Sequence, residues 1–157
     1  MKLILLTQGK SAQVDDEDFE WLSQWKWYYD EGYAVRNSSG GHGRRSLIQM
    51  HRVICNPPDK KEVDHIDRCS INNQRSNLRV CTKTENAWNT GSQKNNTSGY
   101  KGVCWNKGRW QASIRVNGSR IHLGRFDDVK EAANSYDSAA IKYHGEFARI
   151  NFPLPGA

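Results

Sequence analysis

Residues 109–126 alternate apolar and polar side chains twice over, as RWQASIRV and SRIHLGRF on either side of Asn117-Gly118. Period-two alternation sends one side of a strand to a core and the other to water, and Asn-Gly suits the two-residue turn of a hairpin. Such a turn sets the register: Val116 with Ser119, Arg115 with Arg120, Ile114 with Ile121, Ser113 with His122, Ala112 with Leu123. One face is then Trp110, Ala112, Ile114, Ile121 and Leu123. The other is Arg109, Gln111, Ser113, Arg115, Arg120 and His122. Downstream the period becomes helical: Val129, Ala132, Ala133, Tyr136, Ala139, Ala140 and Tyr143 form one stripe, with Gly145 at the C-terminal cap. The alanines let this helix lie close against the apolar face of the hairpin.

The first half of the chain is less regular. KLILL and SAQV flank Gln8-Gly9 and predict a hairpin over 1–14, and the acids of DDEDFEWLSQ open a short helix. WKWYY and YAVR surround Asp30-Glu31-Gly32 as a second hairpin. Trp21, Trp25, Trp27 and Tyr33 read as core packing rather than a stacking surface, because each sits in an apolar-periodic element. SSGGHG (38–43) is a turn. RRSLIQMHRVI mixes strand and helix signals, and NPPD stops whatever precedes it. Thr82 and Glu85 form a capping box that opens a helix over TKTENAWN. TGSQKNNTSG (90–99) has no apolar residue and marks a boundary. The expected organisation is a domain over 1–92, a linker at 93–97, a second domain over 98–153 and a tail at 154–157.

Charge sharpens this division. Residues 93–157 hold ten basic and five acidic side chains, while residues 1–92 are nearly balanced at thirteen and twelve. From Lys94 to Arg125 there are seven basic residues and no acid. A polyanionic partner for the second domain follows. Arg115 and Arg120, directly opposed on an exposed face, repel unless an anion lies between them. A two-stranded ribbon fits the major groove of double-stranded DNA, where arginines bridge guanine edges and phosphates. The four cysteines form no C-x-x-C pair, which argues against a structural zinc site and for reduced thiols. The apolar run Leu3–Leu6 is too short for a signal peptide or a membrane span, so a cytoplasmic protein with no membrane partner is expected.

One stretch carries chemistry. VDHIDRCSINNQRSNLR (63–79) sets Asp64 beside His65, with Asp67, Asn72, Asn73 and Asn77 following and Arg75 and Arg79 among them. Cleaving a phosphodiester needs a base to deprotonate water and a cation to stabilise the departing oxygen. His65 can be the base. Asp64 and a second oxygen from a later element can hold Mg²⁺, and the helix opened at Thr82 presents Asn86 and Asn89 three apart, either of which could serve.

Two resemblances cover about two-thirds of the chain. SGYKGVCWNKGRWQASIRV…SRIHLGRFDD…EAANSYDSAAIKYHGEFARINFP resembles the APETALA2/ethylene-response-factor DNA-binding domain over residues 98–153. The matching motifs are Tyr100-Lys101-Gly102-Val103, Leu123-Gly124 with Phe126, Glu131-Ala132-Ala133 with Tyr136-Asp137, and Asn151-Phe152-Pro153. The resemblance implies a three-stranded antiparallel sheet packed on one helix and seated in the major groove, with Lys101, Arg115 and Arg120 on DNA. Cys104 stands where the plant domains have Arg, and His122 where they have Trp. MHRVI…VDHIDRCSINNQRSNLRVCTKTENAWN (50–89) resembles the HNH homing endonucleases of the ββα-metal type. That resemblance makes His65 the general base, Asp64 and Asn86 the metal ligands, and Asn77 the residue that ties the loop and orients the base.

The expected fold class is therefore α+β, a small N-terminal ββα-metal nuclease domain followed by a sheet-on-helix DNA-reading domain, as in phage and bacterial endonucleases. The expected function is Mg²⁺-dependent (or Mn²⁺-dependent) hydrolysis of double-stranded DNA without a small-molecule cofactor. Arg109, Arg115, Arg120, His122 and Lys101 would face DNA, and Arg75 and Arg79 would touch phosphate. The rival is a DNA-binding regulator with a decayed nuclease domain, against which the intact Asp64, His65, Asn77 and Asn86 stand.

Overall fold

The computed structural model describes residues 1–38 and 46–153, so all but Ser38 of the turn expected over 38–43, and the 154–157 tail, lie outside the described residues. The chain divides into two compact units, Met1–Lys83 and Thr84–Ala157.

The first unit is built from hairpins. β1 (Lys2–Leu5) and β2 (Ser11–Val14) pair antiparallel with Ile4 opposite Ala12. Their alternation buries Ile4, Ala12 and Val14. α1 (Asp16–Leu22) follows, its first turn all acid, burying Leu22 and, unusually for a carboxylate, Asp18. β3 (Tyr28–Asp30), β4 (Tyr33–Asn37) and β5 (Leu47–Gln49) form a three-stranded antiparallel sheet in that order. Trp27 is core, its indole N–H donating to Leu22 O at 2.9 Å. Trp25 is not, being 37% exposed, with the Arg36 guanidinium 4.7 Å from its ring centroid. The mixed signals of the next segment resolve into two elements in succession: LIQ is β5, and MHRVIC is α2 (Met50–Cys55). Asn56 takes a left-handed conformation, φ 41°, and Pro57-Pro58 prevent continuation. β6 (Glu62–His65) and β7 (Leu78–Cys81) then pair with Asp64 opposite Arg79 and His65 opposite Leu78. Ile4, Val14, Leu22, Trp27, Ala34, Met50, Ile54, Val63 and Leu78 make one core from β1, β2, α1, β4, α2, β6 and β7, with Trp27 just ahead of β3.

The second unit begins within α3 (Lys83–Asn89) and centres on an antiparallel sheet of β8 (Val103–Asn106), β9 (Arg109–Val116) and β10 (Ser119–Phe126), with β9 in the middle. α4 (Val129–His144) lies on one face, started by Asp128, whose side chain accepts from the N–H groups of Lys130 and Glu131. Val103, Ala112, Ile114, Ala132, Ala133, Tyr136, Ala139 and Ala140 are the buried seam. Gly102 is obligatory: at φ 77° a Cβ there would lie 1.9 Å from the Tyr136 ring. Asn117 and Gly118 form the expected turn, both at positive φ.

Two expectations are corrected. The register holds from Val116–Ser119 to Ser113–His122, but Ala112 then pairs with Gly124, not Leu123. Leu123 is the extra residue of a β-bulge, which the glycine at 124 (φ 140°) accommodates. Tyr143, placed by period on the buried stripe, is 37% exposed, and the neighbouring His144 is buried in its stead. No helix among the described residues is long and apolar enough to cross a membrane.

Candidate functional site

β6 delivers Asp64 and His65 as consecutive residues at its end, and both are buried, at 5% and 6% exposure. Burying a carboxylate requires a partner. Cross-strand pairing supplies it: Arg79, directly opposite, places Nε and Nη2 at 2.9 and 2.6 Å from Asp64 Oδ2. Arg79 is itself mostly buried, so this pair is shielded from water. The sequence pointed Arg79 at phosphate, and the structure gives its guanidinium a carboxylate.

His65 is held by two kinds of contact. Its Nε2 lies 3.4 Å from Asn73 Oδ1, a long bond in which an N–H on Nε2 donates. Its ring meets His51 edge-on at 5.0 Å, and Tyr33 is near both rings. Burial lowers the His65 pKa below the ordinary histidine value, while the Asn73 bond and the charges of Asp67 and Asp64 pull it back up. His51 is pushed down to about 3, by burial first and then by His65 and Arg52. His51 is thus a neutral wall beside a titratable imidazole.

The loop between the strands is organised by Asn77. Its Nδ2 donates to Asp67 Oδ1 at 2.9 Å and to Asn72 O at 2.8 Å, and its Oδ1 accepts from Asp67 N at 2.9 Å. Its carbonyl accepts from Ile66 N, fixing the chain immediately after His65. Asn77 therefore ties the loop, and the ring of His65 is met by Asn73. Asn73 is fully buried. Its role depends on the first hairpin: Gln13 N donates to Ile71 O and Asn73 N to Gln13 O, both at 2.8 Å. No local signal in an Asn-rich turn reveals a bond to a residue sixty positions earlier.

Arg75, also expected at phosphate, binds Asp18 through Nε and Nη2 at 2.8 and 2.7 Å, and Asp15 accepts from Arg75 N. Asp15, Glu17 and Asp18 cluster closely enough to suggest a cation site, but the Arg75 guanidinium already pairs with two of the three, Glu17 and Asp18. Asn86 and Asn89 both lie on α3, Asn89 buried and Asn86 not.

In the second unit Arg115 and Arg120 are opposed on β9 and β10, both exposed. Arg109, on the same face, forms an exposed two-bond pair with Asp127 at 2.9 and 3.3 Å. His122 is tethered, Nδ1 lying 3.2 Å from Ala112 O. The bulge brings Arg125 opposite Gln111, and its guanidinium donates to Asn106 O and Lys107 O, bracing the turn between β8 and β9. Sequence parity without a bulge had hidden it. Lys101 is engaged elsewhere: its ammonium donates to the carbonyls of Trp88 and, at 2.7 Å, Thr90. Asp137 accepts from Asn151 N, Asn151 Nδ2 and Phe152 N, and Asn151 Oδ1 accepts from Lys101 N, so these motif residues close the fold.

Two family profiles follow one another along the chain, the first running past the boundary between the compact units. Residues 49–88 match the HNH endonuclease family profile, and residues 98–146 match that of the AP2 domain. Protein 3.8 of Escherichia phage T7 is 37% identical over 109 residues, 68% of this chain and 89% of its own length. An HNH endonuclease of Acanthamoeba polyphaga mimivirus is 32% identical over 156 residues, 94% of this chain and 79% of its own length. An AP2-like ethylene-responsive transcription factor of Arabidopsis thaliana is 39% identical over 59 residues, 38% of this chain and only 20% of the plant protein. With both profiles in this order and a viral relative matched over 94% of this chain, the chain belongs to the HNH endonuclease family, in a form that carries an AP2 domain at its C-terminal side.

Proposed function

We propose that this protein is a divalent-metal-dependent DNA endonuclease of the homing type. It would hydrolyse double-stranded DNA to 3′-hydroxyl and 5′-phosphate ends, targeted through the major groove by its C-terminal sheet. The observation that carries the reading is the Asp64–His65 pair: an aspartate and a histidine side by side, buried, each braced by a different partner.

The donor set suits a hard cation. Asp64 offers carboxylate and Asn86 carboxamide oxygen, the ligand chemistry of Mg²⁺ or Mn²⁺ rather than of a thiolate-seeking metal. When bound, such an ion stabilises negative charge on the leaving 3′ oxygen. The rest falls to the chain. His65 accepts a proton from the attacking water, and burial, which lowers its pKa, keeps it unprotonated near neutrality. Arg79 holds Asp64 in one orientation, and Asn77 keeps the loop from drifting. Arg115 and Arg120, with Arg109 and His122 beside them, meet phosphates and base edges. Lys101 is left out of that set because its ammonium already serves two carbonyls.

The test is supercoiled plasmid with Mg²⁺ or with EDTA. Wild type should nick or linearise it only with the metal. His65→Ala should lose at least 100-fold in rate while plasmid affinity in EDTA stays within about twofold, since a general base typically contributes 10²–10⁴. A His65→Ala chain that cuts normally defeats the assignment.

A further inference from the structure

α3, the helix that bears Asn86, is fastened into the DNA-reading unit at three points. The Trp88 indole stacks on the His144 imidazole, centroids 4.3 Å apart and planes within 10°. His144 closes α4, and its Nε2 lies 3.0 Å from Arg115 O on the central strand, so the ring also grips the backbone of a residue proposed to meet DNA. The Lys101 ammonium donates to the carbonyls of Trp88 and Thr90, where α3 ends and its carbonyls lack helical partners. Lys101 can pull against that end because its own main chain is fixed: Asn151 Oδ1 accepts from Lys101 N at 2.7 Å and Asn151 Nδ2 donates to Lys101 O at 3.2 Å.

We propose that Lys101, Trp88 and His144 are positioning residues of the nuclease, by which the DNA-reading sheet and its helix hold the helix carrying Asn86. The proposal rests on the reading of Asn86 as a metal ligand. Asn86 is two residues from Trp88, about 3 Å along the helix axis, so clamping the end of α3 fixes the carboxamide as well. The DNA-binding unit then does two things: it holds the duplex, and it holds the carboxamide of Asn86 in place through the end of α3. Lys101, in the position where the family resemblance suggested a DNA contact, belongs to the second task.

The full-length Lys101→Met chain keeps the length of the side chain and loses its donors. Amide exchange over 84–90 should quicken by about tenfold, with exchange in the middle of α4 unchanged. The Mg²⁺ concentration for half-maximal plasmid cleavage should rise severalfold, while plasmid affinity in EDTA stays within twofold. Lys101→Arg should recover most of both effects. Trp88→Leu, which removes the stack, should reproduce them and stands in for Lys101→Met if that chain misfolds. Wild-type exchange and a wild-type metal midpoint in both variants overturn the proposal. So does a loss of DNA affinity with a salt slope shallower by about 0.9, the signature of a lost phosphate contact. A wild-type chain that leaves plasmid intact defeats the nuclease reading and the ligand role with it, whereas an unchanged exchange pattern beside a cutting wild type defeats the clamp alone.

Discussion

Single side chains here differ in cost by what they leave behind. Asp18 is 1% exposed and takes two bonds from Arg75, which is itself half exposed. Arg75→Ala strands a buried carboxylate and should destabilise the full chain by about 2–4 kcal/mol in urea unfolding. Asp18→Asn should cost less, because the orphaned guanidinium can reach water. Equal losses would show that Asp18 is not the buried partner. His144 gives a pH-dependent counterpart. Burial lowers its pKa, against the bond to Arg115 O and together with the charge of Lys101, and its Nδ1 is buried with no hydrogen-bond partner among the described residues. The unfolded chain therefore binds a proton near pH 6.5 that the folded chain refuses. Stability is fully present above that pH and declines as pH falls through it, by at most about 1.4 kcal/mol per pH unit for one group. His51 and His65 titrate in the same sense, so the measurement is the difference between wild type and His144→Gln, the glutamine chain declining less steeply between pH 7 and 5.

At the level of elements, the hairpin of β9 and β10 shows what alternation conveys and what it misses. Arg115 and Arg120 face each other as the turn dictated, so Arg120→Glu should turn a repulsive cross-strand pair into an attractive one. The fold should gain about 0.2–1 kcal/mol in thermal unfolding at low salt while DNA affinity falls sharply. A loss of stability would give Arg120 a structural partner and remove it from the DNA-facing surface. The faces and the turn were legible because both are local: a two-residue turn fixes its own register. The bulge at Leu123 was not, since it depends on Gly124 fitting beside the Phe126 ring, 3.0 Å from where a Cβ would sit. The same limit applies around His65. The residue types of the loop announced acid–base chemistry, but which asparagine met the ring was decided by Gln13, and the destinations of Arg75 and Arg79 by partners on α1 and β6. A sequence shows the arginines of such a loop but not the carboxylates that fold back onto them.

For the whole molecule, charge asymmetry makes a quantitative statement. The acid-free run from Lys94 to Arg125 lies in the unit that carries the sheet, so plasmid affinity should fall steeply with salt, by about 0.9 in log K per log salt for each phosphate met. Replacing Arg115 and Arg120 together by Ala should flatten that slope by roughly two contacts, and an unchanged slope would take the ribbon away from the backbone. The bonds that shape the loop after His65 have a different reach. Those from Asp15 and Asp18 to Gln74 and Arg75 close 57 to 60 residues of chain. Closing a loop of that length costs about 3–4 kcal/mol of entropy beyond a constant, returned only when both ends are present. A chain still emerging from the ribosome thus carries Asp64 and His65 in its sequence before it can hold them in place. The aspartate–histidine pair would be set in place late in synthesis and in one step, after the first hairpin and the loop have found each other.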